Sequence, residues 1–144
     1  MNLHEKAFVE AFINPDRQER FMAALANPKK RGVFNRELHH PKPSFIVSKY
    51  VQSIVPSQHF ARFLGPKLRG MGAPDTCWVF GNYIDGREMK LEEALSELIG
   101  YRTGTIVSCL PGELAFFENE DERMILHRAG QVTRATRQSS KRDL

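Results

Sequence analysis

The sequence predicts an α+β protein in which a helical N-terminal half packs on a small, mainly antiparallel sheet of about four strands. Apolar residues recur at helical spacing through the first 38 residues, and short apolar runs separated by turn residues dominate from residue 76 onward. The chain has 144 residues, of which 41% are hydrophobic, enough to bury the core of one domain. We therefore predict a single domain over residues 1–128 and a disordered basic tail over residues 129–144.

Two Asn-Pro pairs divide the N-terminal half. Asn14-Pro15 and Asn27-Pro28 each place a capping residue before a proline, and proline fits the first turn of a helix because its missing N–H needs no partner there. The predicted helices cover residues 3–13, 15–26 and 28–38.

The middle of the chain is interrupted by prolines and glycines. Prolines at positions 41 and 43 predict a loop, and the apolar spacing over residues 45–55 suits a helix slightly better than a strand. Pro56 opens a further predicted helix through Leu64. Gly65-Pro66 and the glycines at positions 70 and 72 then predict a break in regular structure.

The C-terminal half alternates strands with one helix. The clearest helix covers Leu91 to Ile99, with leucines on one face, glutamates on the other and Gly100 as its cap. Runs rich in β-branched and aromatic residues predict strands over residues 76–80, 103–110, 113–117 and 123–128. Because short turns join the last three strands, they are predicted to form an antiparallel meander.

Composition limits the cellular setting. No stretch approaches 18 uncharged apolar residues, so the sequence predicts no membrane span, and the N-terminus lacks the pattern of a secretory signal. The two cysteines, Cys77 and Cys109, lie inside apolar runs, where a free thiol acts as a small buried hydrophobe. These features favour a reducing, cytoplasmic location, with a disulfide between neighbouring strands as the alternative.

Charge is unevenly distributed along the chain. The formal net charge is +4, but residues 1–50 carry +4, residues 51–74 carry +3, residues 75–122 carry −8 and residues 123–144 carry +5. Such asymmetry is a hint of nucleic-acid or acidic-protein binding, unless the two signs meet in the fold and neutralise each other.

The basic residues suggest an anion-binding surface on the third predicted helix. Free N–H groups and the positive end of the helix dipole attract phosphate at a helix start, where basic side chains would add to the attraction. The predicted anion-binding residues are Lys29, Lys30, Arg31, Arg36, Arg62, Lys67 and Arg69. The leading interpretation is a small accessory or regulatory protein that contacts nucleic acid or an acidic partner. The alternative for these residues is a solvated helix face.

A second interpretation rests on Pro74-Asp75 followed by Glu88-Met89-Lys90, which resembles the motif of metal-dependent nucleases. In that chemistry Asp75 and Glu88 would hold Mg²⁺ and Lys90 would orient the attacking water. Magnesium is the only cofactor considered, and only for this interpretation. Against it, the Glu-x-Lys triplet directly follows an Asp-Gly turn, where the core strand of such nucleases should run.

Two further features carry candidate chemistry. His39 and His40 would supply a general base or a phosphate contact, although adjacent histidines on an extended segment point to opposite faces and are more often a solvated loop. The acidic region 75–122 suggests a protein-directed inhibitor or interaction module, which requires Glu118, Glu120, Asp121 and Glu122 on one exposed face. The sequence leaves open whether the protein is an enzyme, and it leaves open the partner and the oligomeric state.

Overall fold

The computed structural model describes residues 1–39 and 44–129. These residues form five α-helices and one six-stranded antiparallel sheet, so the α+β class is confirmed. The helices are α1 (Leu3–Phe12), α2 (Pro15–Ala26), α3 (Arg31–His39), α4 (Ala61–Gly70) and α5 (Leu91–Leu98). The strands are β1 (Val51–Ser53), β2 (Thr76–Gly81), β3 (Arg87–Lys90), β4 (Thr105–Leu110), β5 (Leu114–Glu118) and β6 (Arg123–His127).

The sheet has the order β1-β6-β5-β4-β2-β3. The predicted meander is present as β4, β5 and β6, and β2 joins it by pairing Trp78 with Ser108 and Gly81 with Thr105. The prediction of about four strands omitted the two edge strands, β1 and β3. Strand β3 is polar apart from Met89, and β1 has only three residues, so neither carries the apolar run by which a central strand is recognised.

Helices cover both faces of the sheet, with α1, α2 and α3 on one face and α4 and α5 on the other. Successive residues of β2, β4, β5 and β6 belong to two different cores. Phe80, Ile106 and Phe117 pack with α1, α2 and α3, whereas Val79, Val107 and Phe116 pack with α4 and α5. Strands that are apolar on both faces need a helical layer on each side to exclude water.

Two predictions in the middle of the chain are wrong. Residues 45–55 do not form a helix: Ile46 bridges to Ile13, a short 3-10 turn covers Ser48–Tyr50, and Val51 starts the edge strand β1. Helix α4 continues through Gly65-Pro66 instead of ending there. Gly65 faces α5, where a Cβ would lie 3.7 Å from Glu92, and Pro66 lies on the exposed side of the helix.

The remaining boundaries agree with the sequence to within a few residues, except that α3 begins at Arg31 instead of residue 28 and α4 begins at Ala61 instead of Pro56, where a short 3-10 turn covers Pro56–Gln58. Prolines 41 and 43 and the predicted tail from residue 130 lie outside the described residues, so the boundary at residue 128 stays a prediction. No helix within the described ranges is long and apolar enough to cross a membrane. Cys77 and Cys109 are buried free thiols, as predicted, and burial raises the pKa of each to about 12.

Candidate functional site

The side chain of Arg31 is held within the fold by two carboxylates. It lies in the first turn of α3, and its guanidinium contacts the carboxylates of Glu5 and Asp85 at 2.7 Å each. Further hydrogen bonds to the two carboxylates and to the carbonyl of Leu25 engage all five of its N–H donors. Hydrogen bonds to Asp85 and then Glu5 raise the pKa of Arg31. Arg31 therefore has no donor left for a phosphate, although the sequence placed it in the anion-binding set.

Glu5 is the buried centre of this network. Its side chain is 2% exposed and also accepts a hydrogen bond of 2.8 Å from Nε1 of Trp78. At the other carboxylate, burial alone would raise the pKa of Asp85, but the hydrogen bond and charge of Arg31 outweigh burial and lower it. The network joins α1, α3, β2 and the β2–β3 loop, so its role is to hold the fold together.

A histidine-serine pair lies beside that network. Nδ1 of His4 and Oγ of Ser108 are 2.8 Å apart, which is hydrogen-bonding distance. Ser108 is only 1% exposed, so a substrate reaches its hydroxyl only if α1 moves. Burial lowers the pKa of His4, although the carboxylates of Glu88 and Glu5 act in the opposite direction. The pair fastens α1 to β4 and is not open for nucleophilic chemistry.

The structure separates the residues of the metal-nuclease interpretation. Oδ1 of Asp75 lies 2.6 Å from Nη1 of Arg69, on the side of the sheet that carries α4 and α5. Glu88 stands opposite Trp78 in the register and interacts with His4, on the side that carries α1. Lys90 follows Glu88 by two residues and so shares its face. Within residues 1–39 and 44–129, no three acidic, histidine or cysteine side chains form a metal-binding group.

The basic residues of α4 are distant from α3 because the sheet lies between them. Arg69 binds both Asp75 and Glu92, and its hydrogen bonds lower the pKa of Glu92 to about 2. The guanidinium of Arg62 lies 5.8 Å from the ring centres of Phe60 and of Phe63. Lys67 is half-buried. Residues 62, 67 and 69 therefore do not extend a patch that begins on α3.

Lys29, Lys30 and Arg36 form what we call the α3 cationic surface. All three are exposed, and none forms an ion pair with a carboxylate in the described part of the chain. Among the described residues, the Arg36 guanidinium donates only to the carbonyl of Gly32, within its own helix. The backbone N–H groups of Lys29 and Lys30 already donate to Asn27, so the attraction for an anion comes from the side chains.

The structure describes one of the two candidate histidines. His39 is the last residue of α3 and is exposed, so it is available to a ligand that crosses the end of the helix. His40 lies outside the described residues.

The acidic turn does not present all its carboxylates to solvent. Glu118 is 1% exposed, and its carboxylate lies 2.6 Å from Nε of Arg123. The same carboxylate accepts hydrogen bonds from the backbone N–H groups of Gly100 and Arg102. Glu120, Asp121 and Glu122 are exposed. The exposed face that the inhibitor interpretation requires therefore lacks Glu118.

An open groove of about 560 Å³ lies between the α1–α2 turn and β1. Its walls are mainly hydroxyl, amide and apolar groups, and Glu122 is its charged member. A groove with this lining offers no cation to an anionic ligand. The lining residues are Asn14, Ser44, Ile46, Ser48, Val51, Ser53, Glu122 and Met124.

Comparison with known proteins adds no assignment. No protein-family model matches the chain, and no curated protein or solved structure is significantly similar to it.

Sequence reasoning missed an exposed pair of aromatic rings, Tyr83 and Tyr101. The two residues lie in different loops, 18 positions apart, and meet because β2 pairs with β4. An aromatic residue next to turn residues in each loop was the available signal, but their proximity depends on strand pairing.

Proposed function

We propose that this protein is a small accessory or regulatory binding protein that contacts an anionic macromolecule, a nucleic acid or an acidic protein surface, through the α3 cationic surface. One observation carries the proposal. Lys29, Lys30 and Arg36 are exposed without a carboxylate partner in the described ranges, whereas Arg31 and Arg69 are each neutralised by two carboxylates.

The shape of α3 supports close approach by a ligand. Gly32 and Arg36 are four residues apart in α3 and so share one side of the helix, while Lys29 lies in the turn that precedes it. Gly32 is exposed, and no atom lies within 4 Å of the position its Cβ would take. A phosphate group can therefore approach the helix at Gly32 without meeting a side chain at that position.

The physical basis of the proposal is electrostatic. Basic side chains that contact phosphates release condensed counterions, which makes affinity fall as salt rises. Such contacts give affinity and orientation but carry no sequence information. The proposal requires no cofactor, and a cytoplasmic location belongs to it as a prediction with which the two free thiols are compatible.

The test is a salt titration of binding to labelled single-stranded and duplex oligonucleotides, followed by fluorescence anisotropy. Lys29→Glu/Arg36→Glu is compared with Arg62→Glu/Lys67→Glu, which changes the net charge equally on the other side of the sheet. We expect the α3 variant to lose at least ~10-fold in affinity and about two units of salt slope, since each phosphate contact contributes about one unit. The α4 control should lose much less.

Two results would overturn the proposal. Equal weakening by both variants would mean that net charge alone attracts the oligonucleotide. Unchanged binding by the α3 variant would remove α3 as the site.

A further inference from the structure

Two exposed tyrosines form a stacked pair at one end of the molecule. The ring centres of Tyr83 and Tyr101 are 4.3 Å apart and the rings are inclined by 21°. Tyr83 is 37% exposed and Tyr101 is 57% exposed. Large aromatic rings in contact with water are costly to solvate, so this exposed aromatic surface favours contact with another flat ring.

The loops that carry this pair are fixed to the sheet. The backbone N–H of Tyr83 donates to Oγ1 of Thr105 at 3.1 Å. On either side of Tyr101, the N–H groups of Gly100 and Arg102 donate to the buried carboxylate of Glu118. A backbone held this way loses little conformational freedom when the loop binds a ligand.

The same loops pack against the end of α3. The side-chain amide of Asn82 donates to the carbonyl of Asn35 at 2.7 Å and to that of Gly104 at 3.0 Å. Gly104 has a φ of +81°, and a Cβ there would lie 2.8 Å from the carbonyl oxygen of Leu38, so only glycine permits this approach. The tyrosine pair is therefore a neighbour of the last turn of α3.

Charge around the tyrosine pair differs between its two sides. Towards α3, His39 is exposed at the end of the helix, and Lys29, Lys30 and Arg36 carry the positive charge; Arg102 is exposed as well but lies beside the acidic residues Glu120, Asp121 and Glu122. Towards α5, Glu93 and Glu97 line an open space of about 340 Å³ beside Tyr101. A phosphate chain that reaches the tyrosines is therefore attracted along α3 and repelled from α5.

We infer that this end of the molecule binds single-stranded nucleic acid, with at least one base stacked on the Tyr83–Tyr101 pair and the phosphate backbone lying on the α3 cationic surface. The inference rests on the proposed function and narrows its ligand class. Aromatic rings beside a basic groove bind unpaired bases of any sequence, because every base has a flat face. A duplex keeps its bases stacked inside the helix and cannot offer these faces.

The test uses three labelled ligands of equal length: a single strand of mixed sequence, an abasic single strand with the same phosphates, and a duplex. Fluorescence anisotropy is measured for wild type, Tyr83→Ala/Tyr101→Ala and Tyr83→Phe/Tyr101→Phe. Phe60→Ala/Phe63→Ala is the matched control, since it removes two exposed rings from the α4 side of the sheet. The alanine variants remove only exposed rings, and thermal unfolding followed by circular dichroism verifies that each variant is folded.

We expect the tyrosine-to-alanine variant to lose at least about fivefold in affinity for the mixed-sequence strand and nothing for the abasic strand. The phenylalanine variant should keep wild-type affinity, because it retains the rings. The Phe60/Phe63 control should also bind as wild type does.

The inference and the proposed function fail in different ways. Equal wild-type affinity for the mixed-sequence and abasic strands, or full affinity of the alanine variant, would overturn base stacking while the α3 charge variant still weakened binding. If the α3 charge variant bound all three ligands as wild type does, the proposed function itself would fall.

Discussion

The two helical layers of this protein each hold an arginine between two carboxylates, but in different surroundings. In the layer of α1, α2 and α3, Arg31 binds Glu5, which is 2% exposed. In the layer of α4 and α5, Arg69 binds Asp75 and Glu92, whose side chains are 86% and 54% exposed. An arginine between two carboxylates therefore links buried elements on one side of the sheet and forms only exposed ion pairs on the other.

The two cores differ in the residues that fill them. Six phenylalanines pack against one another beneath α1, α2 and α3, with ring centres 5.3–6.1 Å apart. Beneath α4 and α5 the core is mainly leucine, valine and the two thiols. The layer that carries the proposed binding surface is thus built on rigid aromatic contacts and a buried ion pair, which keeps α3 in a fixed position. The aromatic set is Phe8, Phe12, Phe21, Phe34, Phe45 and Phe80.

The largest effect is expected for Arg31→Met. The substitution leaves the Glu5 carboxylate buried without its cationic partner, and we expect the free energy of unfolding to fall by about 3–5 kcal/mol. Urea unfolding followed by Trp78 fluorescence measures the loss directly, because Trp78 donates to Glu5. Glu5→Gln/Arg31→Met should recover part of the stability, since a neutral amide still accepts from Trp78. A loss as small as that of Arg69→Met would contradict the distinction between the two layers.

An intermediate effect is expected for His4 and depends on pH. Burial lowers the pKa of His4 below its ordinary 6.5, so the unfolded chain binds a proton that the folded chain binds less readily. Wild type should therefore lose stability as the pH falls through 6.5 and below, and His4→Asn should lose less over the same range. Unfolding free energies of both proteins between neutral and acidic pH test this. A steeper acid loss in His4→Asn would show that the sign is wrong.

The smallest effect is expected for Arg69→Met. Exposed ion pairs are screened by water and salt, so the shift in the urea midpoint should be less than about a third of that caused by Arg31→Met. Repeating both measurements in 1 M NaCl should shrink the Arg69 effect further and leave the Arg31 effect largely unchanged. An Arg69 effect that survives high salt would mean that this surface pair is more shielded than its exposure indicates.

The sequence predicts most elements of this fold because their local signals agree with their final environment. The leucine and glutamate pattern of α5, the Asn14-Pro15 start of α2 and the apolar runs of β4 to β6 are of this kind. The edge strands β1 and β3 were missed because an edge is half solvated and loses the apolar pattern. Helix α4 was cut short in the prediction because the contact of Gly65 with α5 is tertiary and leaves no local signal.

The candidate site was less predictable than the fold, since it depends on which charges meet. The sequence placed Lys29, Arg31 and Arg36 together as equals, but Arg31 turns inward to Glu5 and the other two stay exposed. Nothing in the local sequence marks that difference, because Glu5 lies 26 residues earlier in the chain. The tyrosine pair likewise exists only once β2 and β4 have paired.

Binding of an anionic ligand to the outward face of α3 can be mapped residue by residue from backbone amide NMR shifts. A single-stranded oligonucleotide is titrated into the isotope-labelled full chain at low salt. We expect the largest shifts in residues 29–39 and the next largest in the loops around Tyr83 and Tyr101, while α4 and α5 stay unchanged. Shifts confined to residues 61–70, shifts confined to residues 130–144, or no shifts at all would contradict it.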